Sequence, residues 1–166
     1  MVLRVRTLAP EEHLAFLGTR ESASFLQTPA WGEVKREWRA ESVGWVDDAD
    51  GGEKVIGAGL VLYRRLPKMR RSLAYLPEGP VIDWSDADLS RWLTPLTAHV
   101  SAQGAFGIRM GPPVITRRWS AATVKAALAA GGATVLGDVP PDHTDHMAVG
   151  VMDQLTKLGW RPPADN

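Results

Sequence analysis

E-S-V-G-W-V-D-D-A-D-G-G-E-K-V-I-G-A-G-L-V-L-Y-R-R-L, Glu41 to Leu66, is the stretch that decides how this chain folds. Two runs rich in apolar residues, Glu41 to Asp47 and Val55 to Leu66, flank D-D-A-D-G-G-E, whose aspartates and glycines favour a turn. The pattern predicts a β-hairpin with a polar tip. Gly57 and Gly59 leave gaps where side chains would stand, which predicts that a neighbouring element approaches the backbone closely there.

Upstream, Val2 to Leu8 alternates apolar and basic residues as a half-buried strand does, and Ala9-Pro10-Glu11-Glu12 opens a short helix to about Leu17. In S-F-L-Q-T-P-A-W-G-E-V-K-R-E-W, Ser24 to Trp38, Thr28 reads as an N-cap and Pro29 as the first helical residue. A helix from Thr28 to Trp38 would put Trp31, Val34 and Trp38 on one face, with Lys35 at its edge. Downstream, R-R-L-P-K-M-R-R (Arg64 to Arg71) is a basic connection. Ser72 to Leu76 is a further strand, which P-E-G-P turns sharply. Asp83 to Asp88 offers several N-caps for a helix to about Ala102, with Leu89, Trp92, Leu93, Leu96 and Val100 in helical register to cover the sheet. Ala105 to Met110 reads as a buried strand stopped by Gly111-Pro112-Pro113. Ser120 caps an alanine-rich helix, Ala121 to Ala130, that Gly131-Gly132 ends. A polar loop, P-P-D-H-T-D-H, precedes a last helix from Met147 to Leu158.

Strands and helices interleave, with tight hairpins between some strands. The expected fold is therefore α/β (α+β): a mixed, largely antiparallel sheet flanked by helices, better suited to a small acyltransferase-like domain than to a doubly wound nucleotide fold. At 166 residues, 45% hydrophobic and 23% charged, one domain is the default. Nineteen basic and nineteen acidic residues cancel, so any anion site must be local. The absence of cysteine removes disulfides, thiolate nucleophiles and Cys-ligated zinc, and fits a cytoplasmic protein. No run approaches membrane-spanning length, and the N-terminus lacks the apolar core of a signal peptide. There is no phosphate-cradling G-x-x-x-x-G-K-[ST] loop, no dinucleotide fingerprint, and no nucleophile elbow.

Two motifs, S-F-L-Q-T-P-A-W-G-E-V-K-R-E-W and S-L-A-Y-L-P-E-G-P-V-I-D (Ser72 to Asp83), separated by a hairpin, resemble the Fem family of peptidoglycan bridge-forming aminoacyltransferases. Weaker similarity continues through I-R-M-G-P-P to L-T-K-L-G-W. The resemblance implies an acetyltransferase (GNAT)-like subdomain over residues 1–166. The family continues past a Gly-Trp like Gly159-Trp160, so it also implies that this is the first half of a longer enzyme. The implied activity is transfer of an amino acid from aminoacyl-tRNA, as co-substrate and without a cofactor, to the amino group of a peptidoglycan precursor. The partners implied are a nucleotide- or lipid-linked muropeptide, aminoacyl-tRNA, the inner membrane leaflet as a peripheral contact, and a second subdomain or related subunit. Two alternatives stand beside it: a catalytically silent binding module, and an acetyl-CoA-dependent N-acetyltransferase.

The candidate substrate-binding residues are Lys35, Glu37 and Tyr75. On pattern alone Lys35 is a solvated lysine of an amphipathic helix; in the family the lysine of this motif is implicated in holding the precursor's diphosphate, as a point charge can. Glu37 points away from Lys35 on an ideal helix, and the resemblance gives it the nucleotide end. Tyr75, just before a forced turn, is either a core tyrosine or a ring that stacks on a uracil. Glu78 departs from relatives that carry a basic residue between Pro and Gly. Arg64, Arg65, Lys68, Arg70 and Arg71 read as a solvated loop, with tRNA phosphates or an anionic membrane surface as the functional alternative. His143 and His146, with Asp142 and Asp145, lack metal-ligand spacing and read as a capped loop. No residue is assigned as a general base.

Overall fold

The computed structural model describes residues 3–48, 52–67 and 70–163. They fall into two compact units, one through Pro113 and one from Val114.

The first unit is built on a five-stranded sheet. Its strands are β1 (Arg4–Thr7), β2 (Arg39–Asp47), β3 (Lys54–Arg65), β4 (Ser72–Leu76) and β5 (Ala105–Met110), and they lie side by side in chain order. The pairings from β1 to β4 are antiparallel, and β4 with β5 is parallel. This is the mixed, mostly antiparallel sheet expected from the hairpin. The hairpin's tip, residues 49–51, lies outside the described residues, as do Val2 and Lys68.

Helices flank both faces. Side chains alternate across a strand, so β2 sends Ser42 to one face and Glu41 and Trp45 to the other. On the first face Ser42 meets His13 of α1 (Pro10–Leu17), and α2 (Pro29–Val34) packs on β2 and β3. On the second, the Trp45 indole N–H donates to the Trp92 carbonyl of α3 (Ser90–Ala102) at 2.6 Å, and His99 of α3 reaches Glu41. Leu89, Trp92, Leu93, Leu96 and Val100 are all buried, as their spacing predicted. The Asp88 carboxylate accepts from the Ser90 N–H and hydroxyl at the entry to α3, whose N-cap position is Leu89 and carries no side-chain cap.

Close approach at Gly57 is observed: a Cβ there would lie 3.0 Å from both Ile82 and Trp92. Two strand readings are corrected. The basic run begins inside β3, because Arg64 and Arg65 pair with Leu73 and Ser72. β5 is an edge strand rather than a buried one, and leaves Phe106 45% exposed.

The second unit carries a two-residue ribbon of β6 (Arg117–Arg118) with β7 (His143–Thr144), then α4 (Ala121–Ala130) and α5 (His146–Lys157). Ser120 accepts from the Thr123 N–H at the start of α4, and Gly131 closes it at φ 69°, a left-handed conformation glycine takes without strain. The polar P-P-D-H-T-D-H stretch holds β7 and is more than a loop. Its Asp142 accepts from the Ser120 N–H and the Thr123 hydroxyl, and its Asp145 caps α5 through the Ala148 N–H. These carboxylates serve backbone ends and hydroxyls. Among the described residues no group of acidic and histidine side chains is placed to hold a metal ion.

Candidate functional site

The first motif folds as a compressed turn and not as the long helix its periodicity suggested. Thr28 and Pro29 do start α2, with Pro29 at a position that needs no N–H, but the Thr28 hydroxyl donates to the Phe25 carbonyl instead of capping the helix. The helix ends at Val34, four residues early. Lys35 leaves helical geometry at ψ 52°, and the Trp38 N–H bonds the Lys35 carbonyl, turning the chain into β2 at Arg39. Inside the helix, Gly32 lies so close to β2 that a Cβ there would sit 2.7 Å from the Ala40 Cβ. Trp31, Val34 and Trp38 therefore share no helical face, and Val34 is 64% exposed.

The turn brings the aromatic and basic groups together by another route. The Lys35 ammonium lies 5.2 Å from the centre of the Trp31 ring, which meets Phe25 edge to face at 5.5 Å. The Trp38 ring tilts against Tyr75 at 6.1 Å, and the Arg64 guanidinium stands 5.5 Å from the Trp38 ring. Cations hold such positions because the ring face is electron-rich. Tyr75 pairs with Leu62 on one side and with Arg109 on the other, so Arg109 projects from the same face as Tyr75. Lys35, Arg64 and Arg109 have no carboxylate partner among the described residues. Glu37 is exposed in the turn and joins none of these contacts. The structure thus joins Tyr75 with Trp38 and Arg64, places Arg109 beside Tyr75 by strand register, sets Lys35 against Trp31 in the same turn as Trp38, and leaves Glu37 outside these contacts. Arg109 lies in the weakly similar I-R-M-G-P-P stretch, but only the β4–β5 register places it beside Tyr75.

Gln27, completely buried, holds the second motif in place. β3 and β4 pair only over Leu62–Arg65, the chain after β4 meets β3 again where Ala58 and Val81 exchange two backbone bonds, and the amide of Gln27 spans the gap between. Its oxygen accepts from the Leu60 N–H at 3.0 Å and its nitrogen donates to the Pro77 carbonyl. Gly79 has to be glycine here, since a Cβ would overlap the Gln27 amide at 2.3 Å. Glu78 takes φ 46°, and its carboxylate accepts from the Ser24 hydroxyl at 2.6 Å. The acidic residue thus ties the P-E-G-P turn to the first motif.

A buried polar network, unmarked in the sequence, lies on the opposite face. The Glu41 carboxylate accepts from the Thr7 hydroxyl at 2.6 Å and the Tyr63 hydroxyl at 2.7 Å, and lies 2.9 Å from His99 Nε2. Burial alone would raise its pKa, but the bonds from His99, Thr7 and Tyr63 outweigh that and hold it at about 2. Burial, with the bond to Glu41, pushes the Tyr63 hydroxyl up, so it stays a donor. His13 is fully buried with Nδ1 2.8 Å from the Ser42 hydroxyl, and burial lowers its pKa to about 4. Its Nε2 has no partner among the described residues.

Comparison with known proteins decides the family. The FemAB family matches over residues 8–160. The chain belongs to that family. Among its relatives, the lipid II:glycine glycyltransferase of Staphylococcus haemolyticus is 31% identical over 107 residues, 63% of this chain and 25% of the relative. The protein of the same name from Staphylococcus aureus is 28% identical over 107 residues, 63% of this chain and 24% of its own length. The chain thus spans about a quarter of the curated relatives it matches. The crystal structure of FemX shares the fold at a TM-score of 0.59 and 21% identity, over 94% of this chain and 31% of that one. Among the described residues no helix is long and apolar enough to cross a membrane.

Proposed function

We propose that this chain is the acceptor-binding part of an aminoacyltransferase that builds peptidoglycan bridges, and that the remainder of the longer enzyme completes the reaction. The observation that carries the proposal is Arg64 at the Trp38–Tyr75 pair, with Arg109 on the strand beside Tyr75 and Lys35 in the same turn as Trp38, three cations without a carboxylate partner among the described residues. Cations suit a diphosphate, and an aromatic pair suits a nucleobase or the apolar face of a sugar. The names of the relatives, lipid II:glycine glycyltransferases, supply the acceptor class.

The reaction needs no covalent enzyme intermediate and no cofactor. The acceptor amine attacks the ester carbonyl of aminoacyl-tRNA, the C–N bond forms, and the ester C–O bond breaks. The tRNA hydroxyl leaves with the proton that the amine loses. Because the ester is already activated, holding the amine in place supplies much of the rate. A lipid-linked acceptor would place the enzyme peripherally at the inner membrane leaflet.

Calorimetric titration of the chain with a uridine-diphosphate-linked muropeptide tests the reading. Lys35→Ala removes a charge-assisted contact worth about 1.5–3 kcal/mol, so the Kd rises roughly 10- to 100-fold. An unchanged Kd removes Lys35 from the site. Assays with aminoacyl-tRNA and precursor, with and without a full-length relative, separate an enzyme from a silent binding module.

A further inference from the structure

A notch lies at the outer edge of β2, where the strand runs on past its neighbour. β1 pairs only as far as Thr7 with Val43, and after Leu8 bonds the Ser42 carbonyl the chain turns away into α1 at Pro10. β2 runs on to Arg39, so its first residues have no outer neighbour. The ladder fixes which backbone groups face outward. The Ser42 carbonyl points out to Leu8, while the N–H of its cross-strand neighbour Leu60 points the other way, to Gln27. Two residues along the strand the same orientation recurs, so the Ala40 N–H and C=O face the notch.

The notch is a cavity of about 560 Å³, within the roughly 300–1,000 Å³ of small-ligand sites. Thr7 and Pro10 close one end, Gly32 and Glu33 of α2 form one wall, and Trp38 and Gln103 also line it. Two carboxylates and one guanidinium border it, the guanidinium of Arg39 lying over the Tyr63 ring and 3.9 Å from Glu41. Glu41 is already held by Thr7, Tyr63 and His99, whereas Glu33 is exposed and has no partner among the described residues. Trp38 belongs both to this notch and to the aromatic pair with Tyr75.

We infer that the notch binds the peptide portion of the acceptor as an extended strand added to β2 at Ala40, with a peptide ammonium beside Glu33. The inference rests on the acceptor-binding reading: a ligand whose phosphates lie at Lys35 and Arg64 passes Trp38 and enters the notch. Strand addition supplies affinity through main-chain bonds, and the flanking carboxylate selects a cationic peptide over a neutral one.

Two probes separate the ideas: uridine diphosphate, and a fluorescent peptidoglycan stem pentapeptide with a free lysine amine. Ala40→Pro removes the outward N–H at an edge position, where proline leaves the β2–β3 ladder intact. The expected result is a loss of peptide affinity of about tenfold or more with unchanged binding of uridine diphosphate. Glu33→Gln weakens the lysine peptide but not its N-acetylated form. In the wild-type chain, the peptide slows hydrogen exchange of the Ala40 amide, a measurement that decides the matter if Ala40→Pro fails to fold. Wild-type peptide affinity in Ala40→Pro, or no protection of the Ala40 amide, overturns the inference. Uridine diphosphate binding without peptide binding refutes the notch alone. Peptide binding without uridine diphosphate binding refutes the diphosphate assignment on which the notch's ligand rests.

Discussion

Replacing Gln27 by alanine removes the amide that spans the gap between β3 and the turn after β4. Two buried backbone groups lose their partners at once: the Leu60 N–H, bonded at 3.0 Å, and the Pro77 carbonyl. Leaving one buried polar group unsatisfied costs about 1–3 kcal/mol, so the pair amounts to roughly 2–5 kcal/mol, with water entering the vacated space setting the lower end. Set against the roughly 5–15 kcal/mol stability of a typical domain, this is a severe loss. Gln27→Glu keeps an acceptor for the Leu60 N–H but turns a fully buried carboxylate towards the Pro77 carbonyl, so at neutral pH it should cost at least as much as alanine, and the cost should shrink as falling pH protonates the carboxyl and lets it donate to Pro77. Urea unfolding gives the global value, and hydrogen exchange at the Leu60 amide reports the local opening. If Gln27→Ala stays within about 0.5 kcal/mol of wild type and Leu60 keeps its protection, the amide is no bridge and the reasoning fails.

Three further outcomes follow from the same packing. His13 has a folded pKa of about 4 against an ordinary value of 6.5, so its share of the stability is complete above pH 6.5 and is lost as pH falls towards 4. That share is of the order of 3 kcal/mol, and His13→Phe should flatten the stability profile in that window. Glu41, held at about 2, adds a second acid loss that starts near pH 4.5 and continues towards pH 2; Glu41→Gln should abolish that step in the same urea titration. Gly32→Ala should destabilise by about 1–3 kcal/mol, because its Cβ would lie 2.7 Å from that of Ala40, and Ala40→Gly in the same chain should restore most of the loss in thermal unfolding.

The sequence by itself determined the hairpin, the buried face of α3, the cap at Ser120, the helix start at Pro29, and membership of the family through two short motifs. These are local signals: turn chemistry, periodicity and residue types at fixed offsets act within a few residues, so a linear reading detects them. Tertiary structure decided where α2 gives way to β2: residues 35–38 turn the chain so that Arg39 joins the sheet while Gly32 packs against Ala40, and the helical spacing of Trp31, Val34 and Trp38 does not carry through. It decided that Trp38 meets Tyr75 and Arg64, residues brought near by strand register across β3 and β4. It also gave Gln27 and Glu41 their roles, since a buried polar side chain is read from the partners that compensate its desolvation, and those partners lie 33 residues away for Leu60 and 58 for His99. The placing of Arg64 and Arg109 near Tyr75 and the open edge at Ala40 have the same origin. Each depends on which strand lies beside which, and a list of residues in order does not contain that information.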